Sequence, residues 1–156
     1  MDENNGKTRS ESLTVMTELV LPNDTNMLGN LLGGRLLHWI DIAGALAAAR
    51  HAESLIATIQ MDTIEFKYPI KLGSIVILTS YVTWTGSTSI EVAVEVQMED
   101  PLTRVRKFIN KVYIVFVALD NDGNKHKTIP YVPVTEEEQA EYNAACVRRG
   151  KRLITS

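Results

Sequence analysis

Residues 35–53, RLLHWIDIAGALAAARHAE, constrain the fold of this chain more than any other part of it. They form the only long stretch with helical composition, and their apolar positions do not keep to one narrow stripe. Leu36, Ile40, Ala43 and Ala47 fall at helical spacing, and so do Leu37, Gly44, Ala45 and Ala48. A helix that is apolar around most of its circumference is a buried helix rather than an amphipathic surface one. Its second half consists of Gly44, Ala45, Ala47, Ala48 and Ala49, with side chains small enough for another element to approach the backbone closely. A partner that wraps around the helix is therefore expected.

The rest of the chain supplies strands for that purpose. Residues 12–20 alternate hydroxyl and apolar side chains and read as a first strand, ended by LPND. After the helix the period changes to two. Residues 55–68 read as a strand with a phase slip, Ile59 and Met61 on one face and Ile64, Phe66 and Tyr68 on the other. A bulge near Asp62 and Thr63 would absorb the slip. Pro69 and Gly73 mark a turn, residues 74–85 a strand, Gly86 a tight turn, and residues 89–98 a strand with Glu91, Glu95 and Gln97 facing out. The last strand, 105–119, is apolar on both faces, which places it centrally or in an interface; NDG at 121–123 is a turn. The tail reads as a helix capped by Thr135, with acids in its first turn and bases in its last, explained by the helix dipole. This order predicts an α+β fold, a five-stranded antiparallel sheet wrapped around one long helix with a second helix at the C-terminus. An uncovered sheet face or an open edge would then favour an oligomer.

Composition bounds what such a domain does. At 156 residues with 45% hydrophobic and 22% charged side chains, the chain is one globular domain. The first ten residues are polar and are expected to be disordered. No apolar run approaches the ~20 residues that span a bilayer, and the N-terminal stretch is the opposite of a signal peptide, so the cytoplasm is expected. A net charge of −3 gives no global attraction to nucleic acid or membrane, and the short basic runs 104–107 and 148–152 read as solvated surface. The lone cysteine, Cys146, excludes an intrachain disulfide. There is no G-x-S-x-G elbow, and His38, His51 and Asp41 lack zinc-site spacing, so neither a serine hydrolase of the α/β type nor a metal site is expected. For His51, near the end of the helix, a dipole or capping role is expected.

Asp41 is the residue that does not belong. No lysine or arginine lies within helical reach of it, and a carboxylate on an apolar helix is costly unless hydrogen-bonded or paired. It reads equally as a packing device and as a general base. The loop ahead of it, TNMLGNLLGG at 25–34, carries Asn26 and Asn30 around Gly29, then Gly33 and Gly34. Free N–H groups at a helix start can stabilise a developing oxyanion, although glycines also serve turns and close packing. Gly34 and Asp41 on one helix would be separated by ~10 Å along its axis. That is too far for both to touch one carbonyl, so the loop of one subunit and Asp41 of its neighbour could form the site together.

The segment NMLGNLLGGRLLHWIDIAGALAAARH resembles the start of the hotdog acyl-CoA thioesterases of the bacterial YciA and animal brain or cytosolic acyl-CoA hydrolase type. The match continues through TIQMDTIEFKYPIKLGSIV, TGSTSIEVAVEV and INKVYIVFVALDNDG, covering roughly residues 12–130. The resemblance implies a hotdog domain over 11–134, with 1–10 as a disordered lead and 135–156 as helix and tail. It implies that Asp41 is the catalytic carboxylate, as general base or nucleophile, assisted by Asn30 of the neighbouring subunit, with Gly33 and Gly34 holding the oxyanion. It also implies acyl-CoA as substrate, no cofactor beyond the coenzyme A of the substrate itself, and hexamers built as trimers of hotdog dimers. Asn26, Thr88 and Ser89 are expected to contact substrate. Ser87 stands where the family's TGSTS-type turn usually carries a basic residue, so Arg104, Arg106 and Lys111 become the candidates for the nucleotide phosphates. Two rivals are a hotdog hydratase or dehydratase, which would want a histidine paired with an acid, and a non-catalytic acyl-CoA sensor, which would not need Asp41.

Overall fold

In the computed structural model, which describes residues 6–155, the long helix α1 (Gly33–Ala52) lies against all five strands of one sheet. The strands are β1 (Thr14–Leu19), β2 (Leu55–Met61), β3 (Ile75–Thr85), β4 (Ser89–Glu99) and β5 (Arg106–Leu119), and a second helix, α2 (Glu136–Thr155), follows. All pairings are antiparallel and the sheet order is β1-β3-β4-β5-β2. The expected architecture is the observed one. The small residues of α1 do what their size allows: a methyl group added at Gly44 would lie 3.0 Å from Ile114 Cδ1 and 3.1 Å from Phe116 Cζ, so anything larger than glycine makes those side chains give way. Ser80 on β3 donates from its hydroxyl to the carbonyl of Ala43 at 2.6 Å, tying helix to sheet.

The helix is buried on one side only. Leu36, Ile40, Ala43, Gly44, Ala47 and Ala48 face the sheet, while Ile42 and Leu46 remain about 40% exposed on the outer side. Beside them runs β2, an edge strand whose Leu55 and Ile59 are more than half exposed. The apolar circumference of α1 therefore exceeds what one chain covers.

Three expectations need correction. Strand β2 ends at Met61, and its bulge falls at Ile59, between Thr58 and Gln60, rather than at 62–63; residues 62–69 form no strand. Residues 6–10 are not disordered: Lys7 bridges to Tyr131, its ammonium contacts Glu53 at 2.7 Å, and Arg9 contacts Glu141 at 3.1 Å (residues 1–5 lie outside those described). Glu91 does point away from α1 but is fully buried, because α2 covers that face of the sheet. Arg148 donates to it at 2.7 and 3.1 Å, Arg152 at 2.7 Å and Thr83 at 2.6 Å. The basic residues of α2 thus grip the sheet rather than merely complement a dipole. Thr135 caps the helix as expected, with reciprocal bonds to Glu138 at 2.9 and 3.1 Å.

Candidate active site

The start of α1 is open. Its N-cap residue is Leu32, which has no capping side chain, and among the described residues no side chain accepts from the first-turn N–H groups of Gly33 and Gly34. The loop ahead of it is rigid. Asn26 Oδ1 accepts from the N–H groups of Leu28 at 3.0 Å and Asn30 at 3.1 Å, Asn26 N–H donates to the carbonyl of Asn30 at 2.9 Å, and Gly29 takes the positive φ of 78° that the turn needs. With Oδ1 committed to the loop, the amide nitrogen of Asn26 is the part left to donate elsewhere. Arg35 pairs with Asp24 at 3.2 Å behind the loop. Asn26, Asn30, Gly33, Leu36, Phe66, Tyr68 and Ile70 line a cleft of ≈ 280 Å³.

Asp41 does not line this cleft. It lies two turns further along α1, half-buried, and Thr58 on β2 donates a hydrogen bond to its Oδ1 at 2.9 Å. The carboxylate is therefore held by a hydroxyl at the exposed seam between α1 and β2, rather than enclosed in apolar packing. One oxygen accepts from Thr58, and the other has no hydrogen-bond partner among the described residues. Within one chain the structure brings Asn26, Asn30, Gly33 and Gly34 together, and it places Asp41 with Thr58 apart from them.

The other expected contacts scatter. Thr88 and Ser89 lie at the end of the sheet beside the C-terminus of α1: Ala118 N–H donates to the carbonyl of Thr88 at 2.8 Å, and Ser89 pairs with Val117. Arg104 has φ 63° in the β4–β5 turn and is exposed, and Arg106 is paired across strands to Glu99 at 2.8 Å; both are at the opposite end of the sheet. Lys111 is not on open surface. It lies under α2, 3.1 Å from Glu141, near the rings of Tyr81 and Tyr113; burial would depress its pKa, and the Glu141 bond more than reverses that. Lys111 is a structural cation here, so its placement does not support the expected phosphate contact.

His51 also differs from expectation. It is fully buried and donates from Nε2–H to the carbonyl of Ile129 at 2.7 Å, while Nδ1 has no partner among the described residues. Burial, then the nearby Lys7 ammonium, hold its pKa below the ordinary value, against an opposing push from the Ile129 bond. It is a neutral strut joining the end of α1 to the 126–131 segment, not a helix cap. Sequence reasoning missed Thr58, Phe66 and Tyr68. No local pattern marks them, because each acquires its role only when the segment after α1 folds back alongside the helix.

The geometry agrees with what the chain resembles. The thioesterase superfamily model matches residues 28–104. An uncharacterised acyl-CoA thioester hydrolase of Bacillus subtilis, YkhA, is 40% identical over 91% of this chain and 83% of its own length. Mouse acyl-coenzyme A thioesterase 11 is 36% identical over 94% of this chain, which spans only 24% of that protein. Among solved structures, an apo-hexameric acyl-CoA thioesterase superposes with a TM-score of 0.91 at 37% identity, covering 96% of both chains. An acyl-CoA hydrolase of Staphylococcus aureus, solved with butyryl coenzyme A and coenzyme A, superposes with a TM-score of 0.88 at 31% identity, over 96% of this chain and 91% of its own. That enzyme has also been solved with alanine replacing an aspartate, a threonine or an asparagine. With an open helix start, a tethered carboxylate and this sheet in place, the chain belongs to the hotdog-fold thioesterase superfamily, among the acyl-CoA thioester hydrolases.

Proposed function

We propose that the chain hydrolyses acyl-CoA thioesters at a composite site, with Asp41 and Thr58 from one subunit and the Asn26–Gly34 loop from its neighbour. The observation that carries this reading is the hydrogen bond from Thr58 to Asp41 on an exposed apolar seam, close to an open edge strand. A surface of that kind invites a second copy to cover Ile42, Leu46, Leu55 and Ile59. The cleft and the carboxylate are separate in one chain, and a neighbouring subunit can bring its own cleft to this carboxylate. A hexamer made of three such pairs is the assembly we infer, by analogy with the hexameric relative.

In this site the N–H groups of Gly33 and Gly34, at the positive end of α1, receive the charge developing on the thioester carbonyl oxygen. Asp41 either removes a proton from the attacking water or attacks the carbonyl itself to form an anhydride that water then hydrolyses; in both cases coenzyme A leaves as the thiolate. Asn30 flanks the cleft, and Asn26, whose amide nitrogen is free of the loop's own bonds, orients water or carbonyl. The aspartate, threonine and asparagine replaced in the staphylococcal enzyme stand at the same separations along its chain as Asp41, Thr58 and Asn26 do here, which supports assigning these three. Thr88, Ser89, Arg104 and Arg106 stay candidates for coenzyme A contacts, because both sheet ends meet solvent.

The test is release of free thiol from acyl-CoAs of graded chain length by wild type and Asp41→Ala. The expected result is wild-type turnover that falls at least ~100-fold in the variant with the oligomer intact. Binding of acyl-CoA without turnover by either protein would replace the hydrolase by a sensor.

A further inference from the structure

Helix α1 opens on the wrong sign of charge. Its first turn holds no acidic residue and carries Arg35 as the third residue of the helix, whereas α2 opens on Glu136, Glu137 and Glu138. A cation in the first turn opposes the helix macrodipole, so helix stability does not account for Arg35. The helix start is also open in front: a methyl group added at Gly34 would meet nothing within 4 Å.

Arg35 is turned toward Asp24. Its Nε lies 3.2 Å from Asp24 Oδ1, with 41% of the arginine side chain and 14% of the aspartate side chain exposed. The loop needs that aspartate. Asp24 Oδ2 accepts from Leu21 N–H at 2.9 Å, closing the turn Pro22–Asp24, and the Asp24 carbonyl accepts from the N–H of Leu32, the N-cap residue, at 2.8 Å. One residue thus closes the loop that carries Asn26 and Asn30, and in doing so it sets a mostly buried carboxylate beside the first turn of α1.

A negative charge in that place favours the fold and opposes the reaction, because it draws on the same positive end of α1 that a thioester oxyanion would use. We propose that Arg35 neutralises Asp24 for catalysis, so that the loop keeps its tether while the N–H groups of Gly33 and Gly34 keep their attraction for the developing oxyanion. The inference rests on the hydrolase reading above. Arg35 is a positioning residue in it, acting through Asp24 without touching the thioester. Its effect falls on kcat, since the carbonyl oxygen gains its charge only on the way to the transition state.

The experiment measures kcat and KM, on the acyl-CoA that wild type turns over fastest, for wild type, Arg35→Gln, Arg35→Lys and the double variant Asp24→Asn/Arg35→Gln. Arg35 is exposed, so its replacement leaves the core intact. Arg35→Gln is expected to lower kcat about 5- to 30-fold at nearly constant KM, the size of a partly buried charge at a helix terminus. Arg35→Lys keeps the charge and stays close to wild type, since a single Nε contact does not need the guanidinium fork. The double variant removes the unpaired carboxylate, keeps an amide oxygen for Leu21 N–H, and recovers most of the lost kcat. A wild-type kcat in Arg35→Gln would overturn the inference. So would a double variant as slow as Arg35→Gln, which would make the pair a mechanical tether and nothing more. A rise in KM at constant kcat would also overturn it and place the guanidinium against the anionic coenzyme A. Absence of turnover by wild type at every chain length would instead remove the hydrolase reading, and this inference with it.

Discussion

A single hydroxyl separates the two readings of Asp41 as structure or as chemistry. Thr58 donates to one carboxylate oxygen at 2.9 Å and thereby fixes the direction of the other. Replacing it by valine keeps the shape and removes the bond; a hydrogen bond to a charged group is worth about 1.5–3 kcal/mol. If that bond orients the base, Thr58→Val lowers kcat about 10- to 100-fold at nearly constant KM, measured by thiol release at a temperature where the variant, less stable by up to that amount, is still folded. His51 offers a prediction of another kind. The unfolded chain binds a proton there near the ordinary 6.5, whereas the folded chain resists it because the ring is buried beside Lys7. Its contribution to stability is therefore complete above pH 6.5 and is lost as the pH falls from 6.5 toward the lower folded value. Melting temperatures between pH 8 and 5 are expected to decline through that window in wild type and to stay flatter in His51→Gln.

At the scale of elements, α2 belongs to the sheet through Glu91. Burial alone would raise the pKa of this carboxyl, but Arg148, Thr83 and Arg152 bind its charged form and hold it below the ordinary value. Removing the carboxylate takes from Arg148 its 2.7 Å ion pair and from Arg152 its 2.7 Å bond, while Asp62 stays 3.8 Å from Arg152. Breaking such a pair costs about 3–5 kcal/mol. Glu91→Ala is expected to lower the denaturation midpoint correspondingly, and to expose α2 to proteolysis before the sheet. Equal protection of α2 in variant and wild type would show that Lys111–Glu141 and Arg9–Glu141 suffice to hold it. The 62–69 segment shows the opposite behaviour: predicted as strand, it leaves the sheet after Met61, and that departure brings Phe66 to the helix start.

At the scale of the whole molecule, the composite-site proposal makes one chain an incomplete site. The cleft and the carboxylate occupy different parts of α1, and the uncovered residues lie between the helix and the free edge of β2. Asn26→Asp keeps the acceptor that ties the loop and removes the amide donor; Asp41→Ala removes the carboxylate. Each variant alone is expected to be nearly inactive. Oligomers reassembled from an equal mixture should recover up to about a quarter of wild-type activity, because some interfaces then contain one intact composite site. The measurement is turnover of mass-verified mixed oligomers. Mixtures no more active than the two parents would place the whole site within one chain.

Much of this was legible in the sequence, and the physical reason is periodicity. Local spacing determined the long helix, the antiparallel strands, the small-residue contact at Gly44 and the oddity of Asp41, since each depends on which residues share a face. The Thr135 cap was legible for the same reason. Tertiary structure alone decided who meets whom across long separations: Thr58 with Asp41, Phe66 with Gly33, Arg148 and Arg152 with Glu91. Glu91 read as surface because charge alternating with apolar residues ordinarily faces water; the covering helix that makes it interior lies far along the chain. Whether a polar residue is solvated or buried depends on what folds back over it, and that information is not local.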